Sequence, residues 1–422
     1  MSRIVLTTWG SLGDLHPMIA LSLSLRDRGH DVVLATTEGY RTKVESLGLE
    51  FHAIRPDLPE DPQIVEQLID PKEGPETLLK GIILANVRRT YDDLMAIAQD
   101  ADFMVAHEIV YAAPIVAEVL NLGWASCALA PAAFFSVYEP IVTSLYPALA
   151  KLHHLGPGIN RWVVEFAKFV TRSWGGPLNE LRKELGVFPI QNPIVGNDKY
   201  SPYLVLALFS SVLGTPQPDW PFNCVPTGFT FYEGEQEQHL NPELKAFLSA
   251  GDPPLVFTLG SAMVNAAGDF YAESVQAAIK LNRRVVLLLG KNPPPQNLPA
   301  SIFTCDYVPY SELFPHACAI IHQGGVGTTA QALRAGRPTL IVPYSHDQPD
   351  NAARVQRLGL SRTIERKQYS AAKAAKELNK LIETPSYATK AAKIGRIVQA
   401  ENGVDVACDA IEKQLKEVAL IS

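Results

Sequence analysis

The chain is 422 residues long, with 47% hydrophobic and 19% charged residues. That composition suits a globular protein with two or three cored domains and excludes a disordered one. Acidic residues outnumber basic ones 44 to 37, giving a formal charge of −7; no basic run marks a nucleic-acid footprint, so nucleic acid is not an expected partner.

From the N-terminus, MSRIVLTTWG turns polar after a very short apolar run, unlike a secretory signal. Five scattered cysteines (127, 224, 305, 318 and 408) form no CxxC pair, which points to free thiols in a reducing, cytoplasmic setting. Residues 4–8, IVLTT, predict a first strand that ends before Gly10-Ser11. A helix-Gly-strand pattern then recurs around Gly29, Gly48, Gly123, Gly336 and Gly359. Glycine takes the left-handed position after a helix without a Cβ penalty, and this alternation predicts parallel sheets covered on both faces.

The run from Ala128 to Ala150 is weakly charged but holds Pro131, Pro140, Pro147 and Glu139. Three prolines argue against a membrane helix, so loop and short helix are expected there. Phe134, Phe135, Tyr138, Trp162 and Trp174 make 128–200 rich in large apolar side chains; an apolar groove and a membrane-leaning surface are both compatible with it. The polar stretch Phe231–Leu244 reads as a linker, and PLVFTL at 254–259 restarts the alternation, again ending in Gly-Ser. The expected architecture is α/β: two doubly wound, Rossmann-like domains facing a cleft, at 1–232 and 239–400. A linker at 233–238 and a closing helix at 401–422 complete it. Ligands of such sheets bind beyond the strands' carboxyl ends.

HQGGVGTTAQALRAG, His322 to Gly336, is the most informative stretch. His322 follows the apolar run ACAII, at a strand end. Gly324, Gly325 and Gly327 let the backbone approach a ligand, and Thr328-Thr329 open a helix whose unpaired amides form an anion seat. The alternative is a tight turn with no ligand. The next strand ends in a polar cluster, His346, Asp347, Gln348, Asp350 and Asn351, which suits the hydroxyls of a phosphorylated sugar. A dinucleotide oxidoreductase would want G-x-G-x-x-G after a first strand, and neither GSLGDLHP nor HQGGVGTT supplies it.

Tyr307 through Leu358, with WGSLGDLHPMIAL, PQPDWPFNCVPTGF and VFTLGSAMVNAAGDFY, resembles the family 1 glycosyltransferases of GT-B fold. Among subgroups it resembles rhamnolipid rhamnosyltransferase B chains and sterol glucosyltransferases. The resemblance implies that His322 and amides near Gly325, Gly327 and Thr328 hold a diphosphate, with Ser261 reaching the same phosphates. It implies that Tyr307 stacks on the base, that the Val308 backbone reads its edge, and that Asp347 and Gln348 meet sugar hydroxyls. Gln331 stands where many members carry a ribose-binding glutamate, which leaves dTDP as open as UDP. Tyr310 replaces a usual glutamine.

The implied reaction is an inverting displacement at the anomeric carbon, from a UDP- or dTDP-sugar to a hydroxyl of a hydrophobic small molecule or lipid. The oriented amides and His322, a cation-capable ring, would carry the leaving charge without a metal or other cofactor. A DxD-like triplet, Asp100-Ala101-Asp102, starts the strand DFMVA and so lies at the wrong sheet edge. For the base, Asp14 of GDLHP stands where many members place a histidine, and His107 where many carry an orienting aspartate. Asp14 also reads as a helix cap; His107, with a better intrinsic pKa, and His16 are the other candidates. A nucleotide-sugar epimerase of the same fold and a non-catalytic nucleotide-sugar binder are the alternatives.

Overall fold

Short β-branched runs alternate with helices through both halves of the chain. A computed structural model describes residues 1–59, 61–143, 155–234 and 240–419. Its contacts divide the chain into two units: 1–68, 72–232 and 402–422 in one, 69–71 and 233–401 in the other.

The first unit holds a seven-stranded sheet, in the order β3-β2-β1-β4-β5-β6-β7. Its strands are β1 Arg3–Thr7, β2 Asp31–Thr36, β3 Glu50–Ala53, β4 Phe103–His107, β5 Trp124–Ala128, β6 Leu204–Ala207 and β7 Cys224–Pro226. The second unit holds six, in the order β10-β9-β8-β11-β12-β13. These are β8 Leu255–Phe257, β9 Val285–Leu288, β10 Ile302–Cys305, β11 Ala319–His322, β12 Thr339–Ile341 and β13 Ser361–Thr363. Every pairing is parallel. The central strands β1, β4, β5, β8 and β11 are almost wholly buried, as sheets covered on both faces require. Strand order reverses between β1 and β4, and between β8 and β11; these are the switch points where open α/β sheets take ligands.

Four of the five helix-ending glycines take positive φ, between 65° and 90°: Gly29, Gly48, Gly336 and Gly359. The fifth differs. Before β5 the left-handed residue is Asn121, at φ 52°, and Gly123 lies beyond it. Gly123 serves packing instead: a Cβ there would stand 2.8 Å from Val418 and 3.2 Å from Phe103. Val418 belongs to the last helix, Gly403–Ala419. That helix packs in the first unit, where Arg28 bonds Asp405 at 2.9 Å, Asp409 at 2.6 Å and Glu412 at 3.1 Å.

The proline-rich run begins with a 3₁₀ turn, Pro131–Phe134; its residues from 144 on, and linker residues 235–239, lie outside the described residues. Phe134 packs at 4.4 Å between ring centroids on Trp220 and is buried. Trp162 projects, 78% exposed, from the helix Pro157–Thr171. Asp102 accepts from the Arg3 amide at 2.8 Å, at the amino edge of the sheet.

Candidate functional sites at the two switch points

In the second unit, β11 carries His322 to the switch point, fully buried. Its Nδ1 accepts the Gly324 amide at 3.1 Å. A ring nitrogen that accepts an N–H bears no proton, so the neutral ring carries its proton on Nε2. That Nε2 is buried and has no partner among the described residues. Burial pushes the imidazole pKa down to about 3, so before ligand arrives His322 is a neutral N–H donor and not a cation. The expectation of a cation-capable ring is corrected accordingly: the strand end is too dry to charge it.

The glycines are fixed by neighbours as well as by conformation. Gly324 has φ 92°, and a Cβ there would stand 2.9 Å from Ile341 and 3.1 Å from the Gln348 carbonyl. Gly325 caps the helix Val326–Arg334 with no side-chain bond. The Val326 amide is taken by the Asp347 carboxylate. The next two amides, of Gly327 and Thr328, lie in the first turn; the carbonyls four residues back, of Gln323 and Gly324, precede the helix, and that of Gly324 takes Asn351 Nδ2 at 2.9 Å. They and the Nε2–H of His322 are the donors at this helix start, with the helix's partial positive charge behind them.

Ser261 follows Gly260 onto the same end of the sheet and is exposed. Gly260, at φ 65°, has no room for a Cβ: it would meet Gln323 Nε2 at 2.3 Å and Thr328 Oγ1 at 3.1 Å. Tyr310 joins the two turns, its hydroxyl 2.9 Å from Thr258 Oγ1 and hydrogen-bonded to Thr328. Tyr307 is 54% exposed, as a stacking platform requires, while Val308 is buried in the core. Gln331 is half-buried, and its Oε1 has no partner among the described residues. Asp347 begins the helix Gln348–Arg357 and accepts from Asn351 Nδ2 at 2.7 Å. Burial raises its pKa to about 6. The side-chain Oε1 of Gln348 accepts the Tyr344 amide at 2.8 Å.

One residue here escaped the sequence reading, and another was seen without its role. Gln323 is 4% exposed, its Oε1 unpartnered and its Nε2 against the places where Gly260 and Gly325 would carry a Cβ. Asn351 bonds the Gly324 carbonyl at 2.9 Å, tying the glycine turn to the next helix. Its place in the polar cluster was visible; the staple was not.

In the first unit the helix Leu12–Asp27 starts beyond β1 with a capping box. Ser11 Oγ accepts from Gly13, and Asp14 Oδ2 accepts the Ser11 amide at 2.7 Å. Asp14 lies over Gly10, where a Cβ would come within 2.4 Å of Oδ2. His107 ends β4, 4% exposed, its Nδ1 3.2 Å from Thr8 Oγ1. Thr8 Oγ1 in turn donates to the Asp14 carbonyl at 3.2 Å, so one hydroxyl bridges the two candidates. His16 is half-buried, 5.1 Å from Tyr232 between ring centroids. Burial, then the Lys199 charge, push the His107 pKa down to about 3. The neutral-range pKa expected for His107 as a base does not survive the desolvation. Beside these groups Trp9, Arg55, Ile83, Val87, Val110 and Tyr111 line an apolar recess.

The chain's likenesses agree with this geometry. Residues 4–126 match the glycosyltransferase family 28 N-terminal domain, and residues 272–412 match the erythromycin biosynthesis protein CIII-like C-terminal domain. The O-mycaminosyltylonolide 6-deoxyallosyltransferase of Streptomyces fradiae is 33% identical over 97% of each chain. The chain belongs to the GT-B glycosyltransferases. The vancomycin aglycone glucosyltransferase of Amycolatopsis orientalis is 28% identical over 85% of this glycosyltransferase and 84% of its own length. The solved glycotransferase of kitacinnamycin shares the fold, with TM-score 0.75, 22% identity, and coverage of 98% and 99%. Neither the epimerase nor the non-catalytic binder is favoured by these likenesses.

Proposed function

We propose that this glycosyltransferase inverts the anomeric centre, needs no metal, and moves a 6-deoxyhexose or hexose from dTDP or UDP to a hydroxyl of an apolar small molecule or lipid. The acceptor oxygen bonds to the anomeric carbon while the bond from that carbon to the diphosphate breaks, its electron pair leaving with the diphosphate. The acceptor proton passes to a base, for which Asp14 is our first choice. His107 is held neutral and serves to fix Thr8 and, through it, the first turn that carries Asp14.

The observation that carries this reading is the buried, unpartnered Nε2–H of His322 beside the Gly327 and Thr328 amides. Charge growing on the diphosphate would meet donors already oriented in a dry site. Gln331, an amide without a carboxylate's pull on a ribose diol, leaves room for a deoxyribose nucleotide. The name of the Streptomyces fradiae relative, a 6-deoxyallosyltransferase, favours a 6-deoxy sugar. Ser261, Tyr307, Val308, Asp347 and Gln348 keep the donor roles that the family resemblance implies.

The helix Pro157–Thr171 bears on the acceptor. Trp162, Phe166 and Phe169 are 78%, 59% and 78% exposed on one strip, with the exposed Arg161 and Arg172 beside it. No described helix is long and apolar enough to cross a membrane. An aromatic strip with two arginines and the Glu165–Lys168 pair along one side suits shallow contact with a bilayer surface, the phase in which an apolar acceptor would dissolve.

The deciding experiment compares His322→Ala with the parent in donor titrations of UDP- and dTDP-sugars, with and without EDTA. The expected result is a loss of ~10²–10³ in kcat/KM on removing one preorganised donor, and no effect of EDTA. Unchanged turnover in His322→Ala defeats the reading.

A further inference from the structure

The second unit holds another polar pocket, of about 370 Å³, whose lining includes Ser361, Arg362, Thr363, Ser386, Tyr387 and Lys390. Among the described residues no aspartate or glutamate lines it, in a chain where acids outnumber bases. It lies along β13, the edge strand two places from β11, and so apart from the donor turn.

Several features leave it unfilled by the protein itself. The carbonyl of Leu360 and the amide of Ile364 face β12, at 3.2 and 3.0 Å from their partners; by alternation, Ser361 and Thr363 turn their backbone groups to the open edge. Ser361 is only 3% exposed, yet its hydroxyl has no partner among the described residues. Arg362 places Nη1 3.0 Å from the Tyr387 hydroxyl and Nε on Glu377. Glu377 is shared with Lys380, at 3.5 Å. Lys390 has no ion pair among the described residues, and its ammonium lies 2.6 Å from where Gly359 would carry a Cβ.

The helix Pro385–Gln399 begins at this pocket with no side-chain cap. Pro385 has no N–H, and the Tyr387 amide is taken by the Thr384 carbonyl at 3.1 Å. The Ser386 amide is left at the helix start, with the positive end of the dipole.

We propose that this pocket binds a small phosphate-bearing metabolite, a phosphomonoester of a polyol. Its phosphate lies between Arg362, Lys390 and the Ser386 amide, and the Ser361 hydroxyl donates to it. Thr363, Thr384 and Gln356 meet the ester's hydroxyls. Lys390, the free face of Arg362 beyond its Glu377 pair, and an unspent helix start call for an anion; the surrounding hydroxyls and the Gln356 amide, which now takes the Thr363 hydroxyl at 3.1 Å, call for a polar, hydroxylated body on it.

The test uses the full chain with dTDP saturating the donor turn, so that phosphate cannot report on His322. Thermal shift is followed against glucose 6-phosphate, inorganic phosphate and sulfate at matched ionic strength. Glucose 6-phosphate should raise the Tm saturably, and more effectively than sulfate. Lys390→Glu, a change at an exposed side chain, should weaken that response at least tenfold, and Ser361→Ala by less. No saturation by ~10 mM ligand, an equal response to sulfate, or indifference to Lys390→Glu would each overturn the proposal.

Discussion

At the switch point of the first sheet, the helix after β1 is closed by its own residues. Asp14 takes the Ser11 amide, and Ser11 takes that of Gly13. At the switch point of the second sheet, the helix after β11 is capped by Gly325, which has nothing to give. The neighbouring histidine withholds its Nε2–H from every described partner. Two helix starts of the same topology therefore differ in who owns their amides. A helix that supplies its own carboxylate is satisfied; one that lacks it is available to a diphosphate. The comparison also assigns the two histidines. Both are neutral through burial, but His107 is engaged with Thr8 while His322 keeps a donor in reserve.

The largest effect should come from erasing the difference. Gly325→Asp gives the second helix a side-chain cap at the position that Ser11 holds in the first. Gly325 sits at φ −59°, which aspartate tolerates, and its Cβ would press only the end of the Gln323 side chain, at 2.8 Å. Donor affinity should fall by ~10²-fold or more while the helix gains a few tenths of a kcal/mol. Calorimetry with dTDP and thermal melts read the two changes, and retained donor affinity would break the comparison.

Next, Asp14→Asn preserves the acceptor for the Ser11 amide but removes the basicity. Turnover should drop ~10²–10⁴-fold at unchanged Tm. His107→Ala measured beside it sharpens the assignment: it should lower both Tm and kcat, because Thr8 loses its anchor. If Asp14→Asn turns over normally, the base lies elsewhere.

Acid should then unfold the protein early. His107 and His322 have folded pKa values near 3, below the unfolded 6.5, so between these values the unfolded chain binds more protons. Their contribution is full above pH 6.5 and is lost as pH falls towards 3, by ~2–3 kcal/mol each near pH 4. Asp347 acts oppositely: its raised pKa, about 6, means that its cost is relieved as pH falls below 6. Denaturant melts from pH 7 to 4 should show the histidine trend, and a flat profile would contradict the buried neutral rings.

The smallest effect belongs to Tyr310→Phe. Losing the bonds to Thr258 and Thr328 should cost ~0.5–1.5 kcal/mol and raise the donor KM modestly, because Thr328 helps form the anion seat.

Much of this was legible locally. Gly29, Gly48, Gly336 and Gly359 announce helix ends because a backbone conformation demands them, and such a demand acts within a few residues. Asp14 reads locally as the cap itself, but the cap is Ser11, and Asp14 closes the box from the third helical position. Gly123 misleads because the constraint on it comes from Val418, far along the chain. The neutrality of His322 and His107 was hidden too, since desolvation is a property of the assembled sheet and not of the motif. Gln323 and Asn351 act through contacts that only the packed turn creates, and Tyr310 shows its purpose only once Thr258 and Thr328 stand beside it.

The last helix has a consequence for biosynthesis. Gly403–Ala419 completes the first unit, anchored by Arg28 and seated on the Gly123 notch. On the ribosome, the unit made first must therefore wait, with that notch bare, while the whole second unit is made and folds. A fragment ending near 232 would retain the uncovered groove permanently, and a circular permutant that joins the helix directly to the first strand's side of the chain should remove the delay.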